Sequence, residues 1–153
     1  MAYNSIILKD YLNVFEEMVA AEALYPGHLL EPNSAGNVQK HSSAGGSLIP
    51  MFATENELQG NGIDDAYSLD DQVFVWIPTR GDQVQAVLKE GENVSTGDFL
   101  ESAGDGTLQK HTPDASPATI YSDQIVGQAL EGLDLSGGGG VSLGDRRIKL
   151  RII

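Results

Sequence analysis

Few residues of this 153-residue chain have the type and spacing for covalent chemistry. The run Gly140-Val141-Ser142-Leu143-Gly144 has the G-x-S-x-G spacing of a nucleophile elbow, which needs a strand before it, a helix after it and a later histidine to take the serine proton. A glycine tract precedes it, a strand pattern follows shortly, and no histidine lies beyond His111, so hydrolysis is not expected. A metal ion needs three or four ligands meeting at one point. The histidines are His28, His41 and His111, and two of them hold equivalent places in a repeat, so they are read as surface strand residues that sit apart. Asn61-Gly62-Ile63-Asp64-Asp65 with Asp70-Asp71 offers oxygen ligands, but lacks the alternating register and closing glutamate of a calcium loop. Arg80-Gly81-Asp82 reads as a turn between strands, and neither a P-loop nor a dinucleotide fingerprint is present. With no cysteine, thiolate catalysis, disulfides and cysteine metal sites are excluded. No catalytic, cofactor-binding or metal-binding residue is therefore expected, and the weight shifts to a binding or structural role without enzymatic activity.

The composition describes what kind of scaffold would carry such a role. A hydrophobic fraction of 41% suits one folded domain, and 18 glycines with 6 prolines imply many turns and short strands. Nine Lys and Arg against 22 Asp and Glu give a net charge of −13, which argues against a nucleic-acid partner. Four of the cations, Arg146, Arg147, Lys149 and Arg151, crowd the C-terminal strand, so an acidic body carries a basic tail. That tail either holds an acidic partner surface or pairs with an acidic strand of its own chain. No apolar run approaches the eighteen residues of a membrane span, and the N-terminus has no secretion-signal pattern, so no membrane partner is expected and synthesis in a cytoplasm is.

The chain says nearly the same thing twice. Gly27, Leu30, Glu31, Gly36 and Gln39-Lys40-His41 recur 70 residues later as Gly97, Leu100, Glu101, Gly106 and Gln109-Lys110-His111, and after a small slip Phe52-Ala53-Thr54-Glu55 is answered by Gln128-Ala129-Leu130-Glu131. Each unit reads as a hairpin, with a strand through the leucine and glutamate, a glycine turn, and a return strand through Val38 or Leu108. Two such units packed together make a small β-barrel or sandwich.

Other segments agree. Asp71 to Pro78 is a buried strand stopped by proline, Gln83 to Leu88 alternates as a half-buried strand does, and Ile148, Leu150 and Ile152 oppose Arg147, Lys149 and Arg151 with a period of two. Phe15 to Leu24 has helical composition but runs uncapped into Pro26-Gly27, which favours strand. Ser42 to Ser47 and Thr112 to Ala118 are matching loops, Gln59 to Asp70 crosses between the halves, and Gly137 to Gly140 leads flexibly into the last strand. The expected organisation is an N-terminal arm over 1–14 and one β domain over 15–153, with repeat units at about 18–58 and 86–133 closed by a C-terminal strand at 146–153. The arm carries Tyr3, Ile6, Ile7, Leu8, Tyr11 and Leu12, and either docks on its own domain or lends itself to a neighbour.

Two resemblances follow from these residues. Glu90 to Leu100 looks like the glycine-aspartate turn of lipoyl and biotinyl carrier domains, but Lys40 and Lys110 are each followed by histidine and do not fit a carrier's modified lysine. A wider likeness runs over roughly 15–153, through Ala20-Ala21-Glu22-Ala23, Pro26 to Glu31, Phe52 to Gly60, Val73 to Pro78, Gly91-Glu92-Asn93-Val94, Gly97 to Glu101 and Arg147 to Ile153. These blocks resemble the head decoration, or cement, proteins of tailed bacteriophages. The resemblance implies a mainly β, tulip-like fold related to the lambda head decoration class, built here from two β units with an extended arm. It further implies a virion protein on the capsid exterior that binds the major capsid protein, forms homotrimers at three-fold sites and stabilises the head against DNA pressure. A tail structural protein and a carrier or adaptor module are the alternatives. In this reading Tyr3, Ile6, Ile7, Leu8, Tyr11 and Leu12 form a capsid-contact arm.

Overall fold

The computed structural model describes residues 4–113, 122–137 and 144–153. Among these there is no α-helix, and thirteen strands are joined by turns and two short 3-10 segments, Glu57–Gln59 and Ser122–Gln124. The strands are β1 (Ile7–Lys9), β2 (Phe15–Val19), β3 (Leu30–Pro32), β4 (Val38–Lys40), β5 (Phe52–Ala53), β6 (Gln72–Trp76), β7 (Gln83–Leu88), β8 (Asn93–Val94), β9 (Phe99–Ser102), β10 (Leu108–Lys110), β11 (Ile125–Ala129), β12 (Leu133–Asp134) and β13 (Arg146–Ile152). Strands β7, β10, β9, β11 and β13 pair in that order, and β13 returns to β7 to close a barrel.

The period of two decides what fills it. Ile148, Leu150 and Ile152 of β13 and Val84, Ala86 and Leu88 of β7 are buried together with Leu100, Leu108, Val126 and Ala129, while the arginines and lysine between them face out. The basic tail thus pairs within its own chain, and the strand it pairs with is not acidic, since Lys149 stands opposite Gln85.

The first half of the chain repeats this barrel strand for strand. Hairpin β3-β4 pairs Leu30 with Lys40, Glu31 with Gln39 and Pro32 with Val38, and hairpin β9-β10 pairs Leu100 with Lys110, Glu101 with Gln109 and Ser102 with Leu108. The bridge Leu29–Phe52 matches the pair Phe99–Gln128, and the Gly27 N–H to Ala53 carbonyl bond matches the Gly97 N–H to Ala129 carbonyl bond. Ala53 lies opposite Val75 as Ala129 lies opposite Leu150. Even the parallel closure is kept, with Ala20 beside Val38 and Leu88 beside Leu108. Strands β2, β4, β3, β5 and β6 therefore form a first, shallower barrel around Ala20, Leu30, Val38, Ala53, Val73 and Val75.

The equivalence extends past the sequence repeat, because β6 is the counterpart of β13 and β2 of β7. The strand at 146–153 is the last stave of the second unit. The sequence places the crossing between the halves at Gln59 to Asp70, but that segment returns to the first unit, where Tyr67 pairs with Leu24, with Ile63 resting on the second core; the crossing is the turn around Thr79 to Asp82. Phe15–Val19 is strand despite its composition, because five residues pair with β6 and that pairing outweighs a helix preference of tenths of a kcal/mol per residue.

The N-terminal segment is part of this fold. Ile6 is fully buried in the second barrel's core, and β1 adds antiparallel to β7 with Ile7 opposite Val84. The arm docks on its own domain, with the Ile6 side chain in the core and the β1 backbone in the ladder with β7.

Candidate functional site

Chemistry-bearing side chains sit mainly on the two hairpins. In each, the glutamate of the outgoing strand accepts a hydrogen bond from the glutamine of the return strand, Gln39 to Glu31 at 2.9 Å and Gln109 to Glu101 at 2.8 Å. A second carboxylate accepts the backbone N–H of the following lysine, Glu22 from Lys40 at 3.0 Å and Glu92 from Lys110 at 2.8 Å. The lysine side chains close the arrangement by ion pairs, Lys40 with Glu22 at 3.7 Å and Lys110 with Asp98 at 2.8 Å. Both lysines end return strands and neither sits at a hairpin tip, so the geometry of a carrier lysine is absent.

The histidines are not surface residues that sit apart. His41 is buried, with Nδ1 2.7 Å from the Ser102 hydroxyl, and His111 Nδ1 lies 2.6 Å from Glu101, so both rings flank neighbouring residues of β9. His41 thus bridges the two hairpins and His111 stays within its own, and no cluster of three His, Asp or Glu side chains among the described residues could hold a metal ion.

His28 is buried for a different reason. In the second unit Asp98 accepts the Ser95 N–H at 2.8 Å, and its carboxyl is held below the usual range by the Lys110 ammonium and that N–H. His28 is the counterpart of Asp98, and its Nδ1 accepts the Tyr25 N–H at 3.1 Å, which requires an unprotonated Nδ1. Burial, with the cations of Lys40 and Arg147 adding to it, lowers its pKa from 6.5 to about 4. The Tyr25 ring meets the imidazole edge-on at 5.9 Å. Arg147 ties this turn to the acidic loop by donating to the Pro26 carbonyl at 3.1 Å, to the Ile63 carbonyl and to Asp64 at 2.8 Å. The acidic stretch is therefore anchored by a guanidinium.

Of the expected arm residues, Ile6 is core, Ile7 and Leu8 are half-buried, and Tyr11 and Leu12 are exposed at 62% and 67%. Tyr3, the G-x-S-x-G serine and most of the loop from Thr112 to Ala118 lie outside the described residues. The repeat residues Leu30 and Leu100 are fully or almost fully buried, each in its own barrel, and Gly36 and Gly106 share the same left-handed φ of +81° at the two hairpin turns. Sequence reasoning missed the exposed apolar side chains of the first barrel, Val14, Phe15, Val19 and Leu58. The mixed apolar and acidic composition of Val14 to Val19 was their only signal. A groove of about 240 Å³ is walled by Ile7, Phe15, Leu58 and Phe74, and a polar one lined by Glu17, Asn56 and Asp71 adjoins it across Leu58 and Phe74.

No protein-family model matches the chain, and no curated protein does. Among solved structures, the chain is similar to the head fiber gp8.5 N base in bacteriophage phi29, with a TM-score of 0.55 and 15% identity over 92% of this chain and 93% of that one. The shared property is the fold, end to end.

Proposed function

We propose that this protein is a non-enzymatic structural component of a tailed-phage head, bound to the outside of the expanded capsid. The observation that carries this reading is the fold likeness to a phage head fiber base over nearly the whole of both chains. The sequence blocks that resemble head decoration proteins point the same way from independent residues, as does an acidic exterior of net charge −13 suited to a particle that must stay dispersed. In the fuller form of the proposal the protein assembles as trimers on three-fold sites of the major capsid protein. A ligand that binds only the expanded lattice stabilises it by mass action, and so braces the shell against the pressure of packaged DNA.

The test is occupancy. Purified protein is added to expanded heads lacking it, bound copies per capsid are counted, and the heat stability of bare and decorated heads is compared. Saturation at a copy number matching three-fold sites, with a gain in stability, supports the proposal. Absence of binding to heads of the cognate phage overturns it.

A further inference from the structure

The two barrels differ at one matched edge. On β7 the outward side is covered: the Gln85 N–H donates to the Ile6 carbonyl at 2.8 Å, the Val87 N–H to the Gly27 carbonyl at 3.1 Å, and β1 lies antiparallel with Lys9 opposite Gln83. By the pairing with β6 and β13, the counterparts of Gln83, Gln85 and Val87 are Phe15, Glu17 and Val19 of β2. Strand β2 bonds to β6 through Val14, Glu16, Met18 and Ala20, as the flanking bonds from Ile77 N–H to the Val14 carbonyl and from Ala20 N–H to the Asp71 carbonyl fix the phase. The N–H and C=O groups of Phe15, Glu17 and Val19 therefore point away from β6, and no described strand pairs with them.

We propose that this edge is a docking site for an extended, basic segment of another protein, which adds antiparallel to β2 as β1 adds to β7. The form of the occupant is read from β1, an apolar pair followed by lysine. Its charge is read from the edge. Where β7 offers Gln85, β2 offers Glu17 at the centre of the strand, with Glu16 beside it and Glu57 and Asp71 bordering the grooves on either side. A strand carrying Lys or Arg opposite Glu17 gains a favourable cross-strand pair, and an aliphatic side chain two residues from it, opposite Phe15 and on the same face, lies toward the groove between Ile7, Phe15, Leu58 and Phe74. A second copy of this chain is the wrong partner, because antiparallel self-pairing about Glu17 sets two carboxylates directly opposite each other. The mismatch between the barrels points to this site whether or not the protein belongs to a phage head.

The test is an amide chemical-shift titration of the full chain with a ten-residue peptide in which every second residue is alternately lysine and valine, with threonine between, so that both fall on the face of Phe15 and Glu17. A glutamate-valine peptide and a lysine-glycine peptide of equal positive charge serve as controls, the latter for general attraction to an acidic protein. Saturable shifts centred on the amides of Phe15, Glu17 and Val19, seen with the lysine-valine peptide alone, are expected. Glu17→Lys is expected to weaken that peptide at least tenfold and to admit the glutamate-valine one. Shifts centred elsewhere, equal shifts from the lysine-glycine peptide, unchanged binding by Glu17→Lys, or a wild-type dimer whose interface amides are Phe15, Glu17 and Val19 would each overturn the proposal.

Discussion

Replacing His28 by aspartate gives the first barrel the turn residue of the second and should change how stability depends on pH. In the wild type the folded imidazole titrates at about 4 and the unfolded one near 6.5, so protonation favours the unfolded chain. The stability from the neutral ring is nearly complete at pH 7, falls as pH drops through 6.5, and is gone below about 4. Between pH 7 and pH 5 the difference in proton uptake amounts to about 2 kcal/mol, and to about 3 kcal/mol by pH 3. An aspartate in the same place accepts the Tyr25 N–H as an ionised group, as Asp98 does for Ser95, and has nothing to lose until carboxylates begin to protonate. Urea unfolding at pH 7, 6, 5 and 4 should therefore give curves for wild type and His28→Asp that separate by about 2 kcal/mol between pH 7 and pH 5. Parallel curves across that window, or a His28 ring that titrates near 6.5 in the folded protein, would refute the reasoning.

Further outcomes follow from the repeat and from the N-terminal segment. Gly36 and Gly106 share one backbone conformation, but a Cβ at Gly36 meets nothing within 4 Å, whereas at Gly106 it comes within 2.8 Å of Lys40 Cγ. Gly36→Ala should cost about 1 kcal/mol in chemical denaturation, for backbone strain alone, and Gly106→Ala measurably more. Ile6→Ala should cost about 2–5 kcal/mol by the same assay, as a core deletion does, because the residue is fully buried. Glu55 accepts the Ile6 N–H at 3.2 Å, and Glu55→Gln, which retains an acceptor oxygen, should cost much less than Glu55→Ala.

The hairpins were legible because their two copies share residue types where the backbone leaves little choice: a glycine at each left-handed turn and a leucine at each core position. The strands beyond them, β2 with β7 and β6 with β13, diverged in sequence while keeping their pairing, since a sheet position asks only for an apolar residue facing inward. Their equivalence therefore emerged from register, with Val75 answering Leu150 and Ala53 answering Ala129. Ile6 read as an arm residue for a related reason. A short apolar segment looks the same whether it waits for a partner or fills its own barrel, and only the Gln85 N–H reaching the Ile6 carbonyl distinguishes the two. The histidines misled because a polar residue at a strand end reads as exposed: each instead lies by the glutamate of its own hairpin, His41 Nε2 3.7 Å from Glu31 and His111 Nδ1 2.6 Å from Glu101, and His41 turns its Nδ1 to Ser102 of the other hairpin.

The flanking of β7 by β1 and β13 has a mechanical meaning. Both strands run antiparallel to β7, with Ile6 beside Gln85 on one flank and Ile152 beside Asp82 on the other. Tension applied between these two points pulls β1 and β13 along β7 in opposite directions. The rungs of the ladder then share the load in shear, since none can be peeled away ahead of the next. Pulled at Ile6 and Ile152, these strands would yield only when a whole row of hydrogen bonds gave way together.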